Sequence, residues 1–315
     1  MAPPTHQLKL RFFDLDVHIR SDARTYLEPL AQMYHRFQAN GDPPSLQPPL
    51  ELAIFTWPDD AWGQPMLILD GDVRPLQNVR GLAGYVHQSI LCAILTRVRR
   101  HILIRAGAVA HDGQGIILAA DSCHDKTALI LELVRRGCKF LSDETAALGR
   151  ADWRVHPFPR GLKIRPGALD LTSAADAAPE WPGKALVHVE QFRPDSLGQA
   201  VPVRHVVVLQ DPAKEEKDQA DGSGQEWLLD SIVNPVEPSN SATPARLETM
   251  SRSKAATELL RRFQGKSAIL DELGGSPTRL GRELAVIVGQ AQCHRLFVGP
   301  VDEMADRVCE LVRKE

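Results

Sequence analysis

Gly115-Ile116-Ile117-Leu118-Ala119-Ala120-Asp121-Ser122-Cys123-His124-Asp125-Lys126-Thr127-Ala128-Leu129 is the stretch on which the fold turns. The apolar run at 115–119 predicts a buried strand, and 126–136, closed by Gly137, predicts a helix. Strand, polar loop and helix in that order match the layout of the phosphate-binding pattern G-x-x-x-x-G-K-[ST]. In such a loop, backbone N–H groups and a helix N-terminus surround phosphates, a Lys meets the outer phosphates and a hydroxyl serves Mg²⁺. Lys126 and Thr127 occupy the last two positions. The glycines are absent, because Ala120 stands at the first and Asp125 at the second. A non-Gly residue at positive φ costs on the order of 1 kcal/mol, and a carboxylate beside phosphate adds like-charge repulsion. The loop is therefore either reshaped or binds no phosphate.

Downstream, Arg135-Arg136-Gly137-Cys138-Lys139-Phe140-Leu141-Ser142-Asp143-Glu144 predicts a strand over 138–143 that delivers two adjacent acids from its end. At the C-terminal edge of a parallel sheet that position faces the ligand crevice. Further out, 104–110 and 203–209 read as strands. Helical spacing recurs at 82–100, 246–263 and 277–289, and again where Val301, Met304, Ala305, Val308, Leu311 and Val312 share one face. Residues 211–240, rich in Asp, Gly, Ser and Pro, are expected as a mobile loop. The opening 1–80 reads as a β-rich lobe, with strands at 8–13, 50–55 and 66–69 and one helix over 23–37. The expected division is that lobe followed by an α/β domain over 81–315.

The 315 residues suit one large α/β domain or two unequal lobes. Lys+Arg 37 against Asp+Glu 40 gives a net charge of −3 and no basic footprint for a nucleic-acid partner. Five cysteines, odd in number and without CxxC spacing, predict no disulfide framework. No apolar run of about 18 residues and no signal-peptide pattern occurs, so no membrane span is expected and the cytoplasm is the expected location.

Lys126-Thr127, then Leu-Val-Arg-Arg-Gly, Leu-Ser-Asp-Glu and His156-Pro157-Phe158-Pro159-Arg160-Gly161-Leu162-Lys163 together resemble the HPr kinase/phosphorylase superfamily. More narrowly, the chain is similar to the HPr-kinase-related proteins of peptide-modification and exopolysaccharide gene clusters. The resemblance runs over most of the chain and is most specific between Arg105 and Lys163. It implies an α/β fold with a P-loop kinase-like core of the HPr kinase/phosphoenolpyruvate carboxykinase type and a smaller β-rich N-terminal lobe. It also implies phosphoryl transfer from ATP, with Mg²⁺, to a hydroxyl of a peptide, protein or small-alcohol substrate, typically a serine. Carried across, Ala120, Asp121, Ser122, Cys123, His124, Asp125, Lys126 and Thr127 would form the nucleotide loop. Lys126 would hold the β/γ-phosphates, Thr127 and Glu144 would serve Mg²⁺, Asp143 would be the base, and Lys163 would add positive charge. The family's glycines fall at Ala120, Cys123 and Asp125, and its His has no equivalent at Ala106-Gly107.

Two further readings stay open beside the kinase: a pseudokinase that keeps the fold as a binding or scaffolding module, and an enzyme that uses the crevice for other chemistry. The oligomeric state is also open, with a homo-oligomer among the alternatives. Cys123-His124-Asp125 holds zinc-ligating residue types, but three adjacent residues converge poorly on a tetrahedral centre. Gly265-Lys266-Ser267 has Leu260 at the first Gly position and reads as an interhelical turn.

Overall fold

A computed structural model of the chain describes residues 5–39, 45, 47–55, 66–75, 82–120, 125–164, 185–210, 243–263 and 277–313. In chain order the first elements are β1 (His6–Phe12), β2 (Leu15–Ser21), α1 (Glu28–Met33), β3 (Leu50–Phe55), β4 (Met66–Leu69), β5 (Asp72–Pro75) and α2 (Leu82–Arg97). There follow β6 (His101–Ile104), β7 (Ala106–His111), β8 (Gln114–Ala119), α3 (Asp125–Arg135), β9 (Lys139–Ser142), β10 (Ala146–Gly149), β11 (Arg154–His156), β12 (Leu162–Ile164), β13 (Ala185–Val187) and α4 (Val189–Phe192). The chain closes with β14 (Val201–Gln210), β15 (Arg246–Thr249), α5 (Arg252–Arg261), α6 (Pro277–Gly289), β16 (Gln292–Phe297) and α7 (Val301–Arg313).

Two compact units divide this α/β chain: Met1–His101 with Arg160–Gln191, and Ile102–Pro159 with Phe192–Glu315. The division differs from the 1–80/81–315 partition expected from sequence, because α2 groups with the opening sheet and a later segment returns to it.

The first unit carries a five-stranded sheet in the order β1-β2-β3-β4-β5, with only β2 and β3 parallel. Alternation sets its faces: Leu8, Leu10 and Phe12 on β1 and Leu15, Val17 and Ile19 on β2 are buried. The helix expected over 23–37 is broken into short turns around α1. Pro29, which has no N–H to donate, sits in the first turn of α1 and accounts for its late start. Inside the unit Tyr34 Oη and His87 Nδ1 lie 2.7 Å apart, and Arg160 Nη1 lies 3.3 Å from His87 Nε2.

The second unit is built on a sheet with the path β6-β10-β11-β14-β8-β7-β9, extended by β16 and β15 beyond β14. β14 runs parallel to β8 on one side and to β16 on the other, while β7 is antiparallel to both β8 and β9. β8 and β9 therefore point the same way, and α3 carries the chain from one to the other across β7. The β7–β8 turn is Asp112-Gly113, both at positive φ (46° and 77°), as a two-residue hairpin requires. One face of the sheet buries Ala106, Ala108, Ile117, Val206 and Cys293 with Leu259, Leu284 and Ile287 of α5 and α6. The other carries α3, which packs on β7, β9 and α7. β9 would be an open edge, but residues 196–198 run along it, with Phe140 N–H donating to Ser196 O at 2.6 Å and Gly198 N–H to Phe140 O at 2.9 Å.

Two sequence expectations change here. The helix expected from 246 begins at Arg252, because Ser251 caps it by accepting from the Lys254 N–H, and 246–249 pairs with β16 as a strand. The single strand expected at 104–110 is two strands that break at Arg105, whose N–H bonds Arg262 O at 2.8 Å. The 211–240 segment lies outside the described residues.

Candidate functional site

β8 ends at Ala119, Ala120 follows fully buried, and α3 starts at Asp125. Residues 121–124 of the loop, and the side chain of Asp125, lie outside what is described. Lys126 and Thr127 are thus in the first turn of an eleven-residue helix, where N–H groups lack intrahelical partners and the helix dipole is positive. Lys126 is 5% exposed, and among the described residues its ammonium has no hydrogen-bonded or ion-pairing partner. A cation beside the positive end of a helix is favoured when an anion joins it.

Thr127 is half-buried and points to the adjacent strand end. Its hydroxyl donates to the Asp143 carboxylate, with both oxygens at 3.0 Å. Asp143 and Glu144 follow β9 and are half-buried, between fully buried Ser142 and Thr145. The Ser142 hydroxyl is enclosed and makes no hydrogen bond among the described residues. The C-terminal ends of β8 and β9 thus bring a lysine, a hydroxyl and two acids to one edge of the sheet.

The far end of α3 is fixed. Gly137, at φ 112°, lets the chain turn so that the Cys138 N–H reaches Leu133 O and the Gly137 N–H reaches Val134 O, both at 3.0 Å. Arg193 Nη1 donates to Val134 O at 2.8 Å and Arg135 O at 3.1 Å, which neutralises the carbonyl end of the helix. Glu132 accepts from Arg135 and Arg136 at 2.6 Å, and hydrogen bonding to Arg135 is the chief force holding its carboxyl below the usual range. Against the effect of burial, Glu132 first and then Asp306 of α7 hold the Arg136 guanidinium more firmly protonated than usual.

Of the residues singled out by sequence, Lys126, Thr127, Asp143 and Glu144 sit in the second unit around the ends of β8 and β9. Lys163 lies on β12 in the first unit, opposite Leu186. Among the described residues no group of three His, Cys, Asp or Glu is placed to hold a metal ion, and Cys123 and His124 are outside them. No described helix is long and apolar enough to cross a membrane. A residue of the site carrying no chemistry of its own is Gly107 on β7, which lies between α3 and the Asp143 backbone. Its sequence signal is a glycine inside a strand, the mark of a close approach.

No family model matches the chain, and no curated protein matches it. Among solved structures it is similar to the Hpr(Ser) kinase/phosphatase from Coxiella burnetii, at 12% identity over 67% of this chain and 88% of that chain, with a TM-score of 0.31. At that identity and score the likeness assigns no activity.

Proposed function

We propose that this protein is an HPr-kinase-like phosphotransferase, moving a phosphoryl group from Mg-ATP to a hydroxyl of a peptide or protein serine or of a small alcohol. The observation that carries the reading is Lys126: a buried lysine without an anionic partner among the described residues, at a helix N-terminus entered from a strand. Phosphate oxygens are the anion such a place accommodates. Mg²⁺ takes hard oxygen ligands, and Thr127 Oγ1 with the Glu144 carboxylate are of that kind. Bound there, Mg-ATP would supply the transferable phosphoryl group and neutralise its charge. The chain's own part is positioning and electrostatics, which are most of what phosphoryl transfer asks of a protein. Lys126 would bind the outer phosphates. Asp143 would give up the Thr127 hydroxyl and accept the proton of the attacking hydroxyl, so Asp143→Asn is expected to abolish transfer while leaving nucleotide affinity nearly intact.

A second reading, a module of this fold that binds without ATP, is favoured by the sequence of the loop, where Ala120, Cys123 and Asp125 stand at the positions of the glycines of a phosphate-binding loop. Calorimetric titration of Mg-ATP into the purified protein separates the two. Binding that is lost in Lys126→Ala supports the kinase; no heat in the wild type overturns it.

A further inference from the structure

We infer that Gly107 is a positioning residue for the candidate site: its missing side chain sets the distance between the helix that carries Thr127 and the strand end that carries Asp143. The inference deepens the reading given above and rests on it only for its consequence in catalysis.

A Cβ built on Gly107 would stand 2.2 Å from Ile130 Cδ1 and 3.3 Å from Ile130 Cγ1 on one side, and 3.0 Å from the Asp143 carbonyl oxygen on another. Ile130 lies on α3 three residues after Thr127 and four after Lys126, so it shares their side of the helix. It is fully buried and has little room to turn away. The other obstacle is backbone, the peptide of Asp143 itself. A methyl at 107 is therefore a wedge between the two elements that the Thr127–Asp143 contact joins, and relief on either side moves one partner from the other. The strand's own sequence points the same way. Along β7, Ala106, Ala108 and Ala110 face the α5 and α6 side, so Gly107 and Val109 face α3. Val109 is tolerated two residues along, where β7 pairs with Phe140, whereas at 107 only hydrogen fits. The hydrogen bond from Thr127 has both carboxylate oxygens at 3.0 Å, and a displacement of a few tenths of an ångström takes it out of good geometry.

The test uses the full chain and a readout that needs no nucleotide. The coupling between Thr127 and Asp143 is measured by a double-mutant cycle, Thr127→Val with Asp143→Asn, from unfolding equilibria in denaturant. In the wild type it is expected to be about tenfold in the unfolding constant, the size of a hydrogen bond to a charged group. In the Gly107→Ala background it should fall below about twofold. Adding Ile130→Val removes Cδ1, the atom 2.2 Å away, and so moves one methyl from residue 130 to residue 107 at constant volume. That pair of changes should restore most of the coupling.

A folded Gly107→Ala protein with wild-type coupling overturns the inference, as does failure of Ile130→Val to restore what was lost. If Gly107→Ala does not fold, the paired variant decides: coupling retained supports the spacing role, and coupling lost overturns it. The same variants are titrated with Mg-ATP. Absence of binding in the wild type alongside a coupling that behaves as described refutes the kinase reading and leaves the spacing role standing.

Discussion

At the scale of single residues, Lys126 is a cation in the first turn of α3, beside the positive end of the helix dipole, which opposes its charge. Lys126→Met keeps the length of the side chain and removes the charge, so it should stabilise the ligand-free protein by about 1 kcal/mol, read from the denaturation midpoint. The same change should weaken Mg-ATP by about 2–4 kcal/mol, read by calorimetry. Opposite signs on stability and binding would be hard to obtain from a lysine that merely fills space; loss of stability together with unchanged affinity would show that it is structural. The placement of Lys126, Thr127 and Asp143 was legible in the sequence because strand and helix signals put them at element ends. Gly107 was not, since a glycine in a strand announces that something comes close and does not say what. Lys163 shows the limit from the other side: the motif that contains it is contiguous in sequence, yet the chain passes into the other unit at Arg160.

Among elements, α3 has a C-terminal end whose fixing contacts are all in view. Gly137→Ala would hold an L side chain at φ 112° with space around it, so the cost, about 1 kcal/mol, comes from backbone conformation alone. Glu132 adds a pH signature. Its carboxyl is depressed in the folded chain, chiefly by Arg135, so its contribution is fully present above the ordinary Glu range near 4.3 and is lost as pH falls through the lower folded value. Glu132→Gln should cost about 1–2 kcal/mol at pH 7 and flatten the stability profile below pH 4.5, measured by urea denaturation. Helices with strong periodicity and clear stops, 277–289 and 301–313, were readable from sequence almost to the residue. Strands β10 to β13 were not, because they have three or four residues each and sit among prolines and glycines that carry no period.

Across the whole molecule, each unit has its own acid sensitivity. In the first, His35 and His188 meet edge to face at 4.0 Å, with Glu190, Arg36 and the Gln32 carbonyl around them. Burial is the main reason both imidazoles bind protons less readily than in water; Arg36 adds to it for both, and His35 for His188, while Glu190 opposes it. The unfolded chain then holds more protons than the folded one just below pH 6.5, so stability should decline from pH 7 toward pH 5. The expected midpoint in urea is lower at pH 5.5 than at 7.5, and His188→Gln should remove much of that difference; an unchanged slope would place the sensitivity elsewhere. The partition into units escaped the sequence because the segment that rejoins the first sheet comes after the strands of the second, and no local pattern records such a return. The second sheet, finally, keeps one of its borders shut: the 196–198 segment occupies the donors and acceptors of Phe140 that would otherwise face outward. A sheet border left open recruits strands from neighbouring molecules and can grow into ordered aggregates. Gly198→Pro, which deletes the N–H given to Phe140 O, should therefore make light scattering climb more steeply with concentration than it does in the wild type.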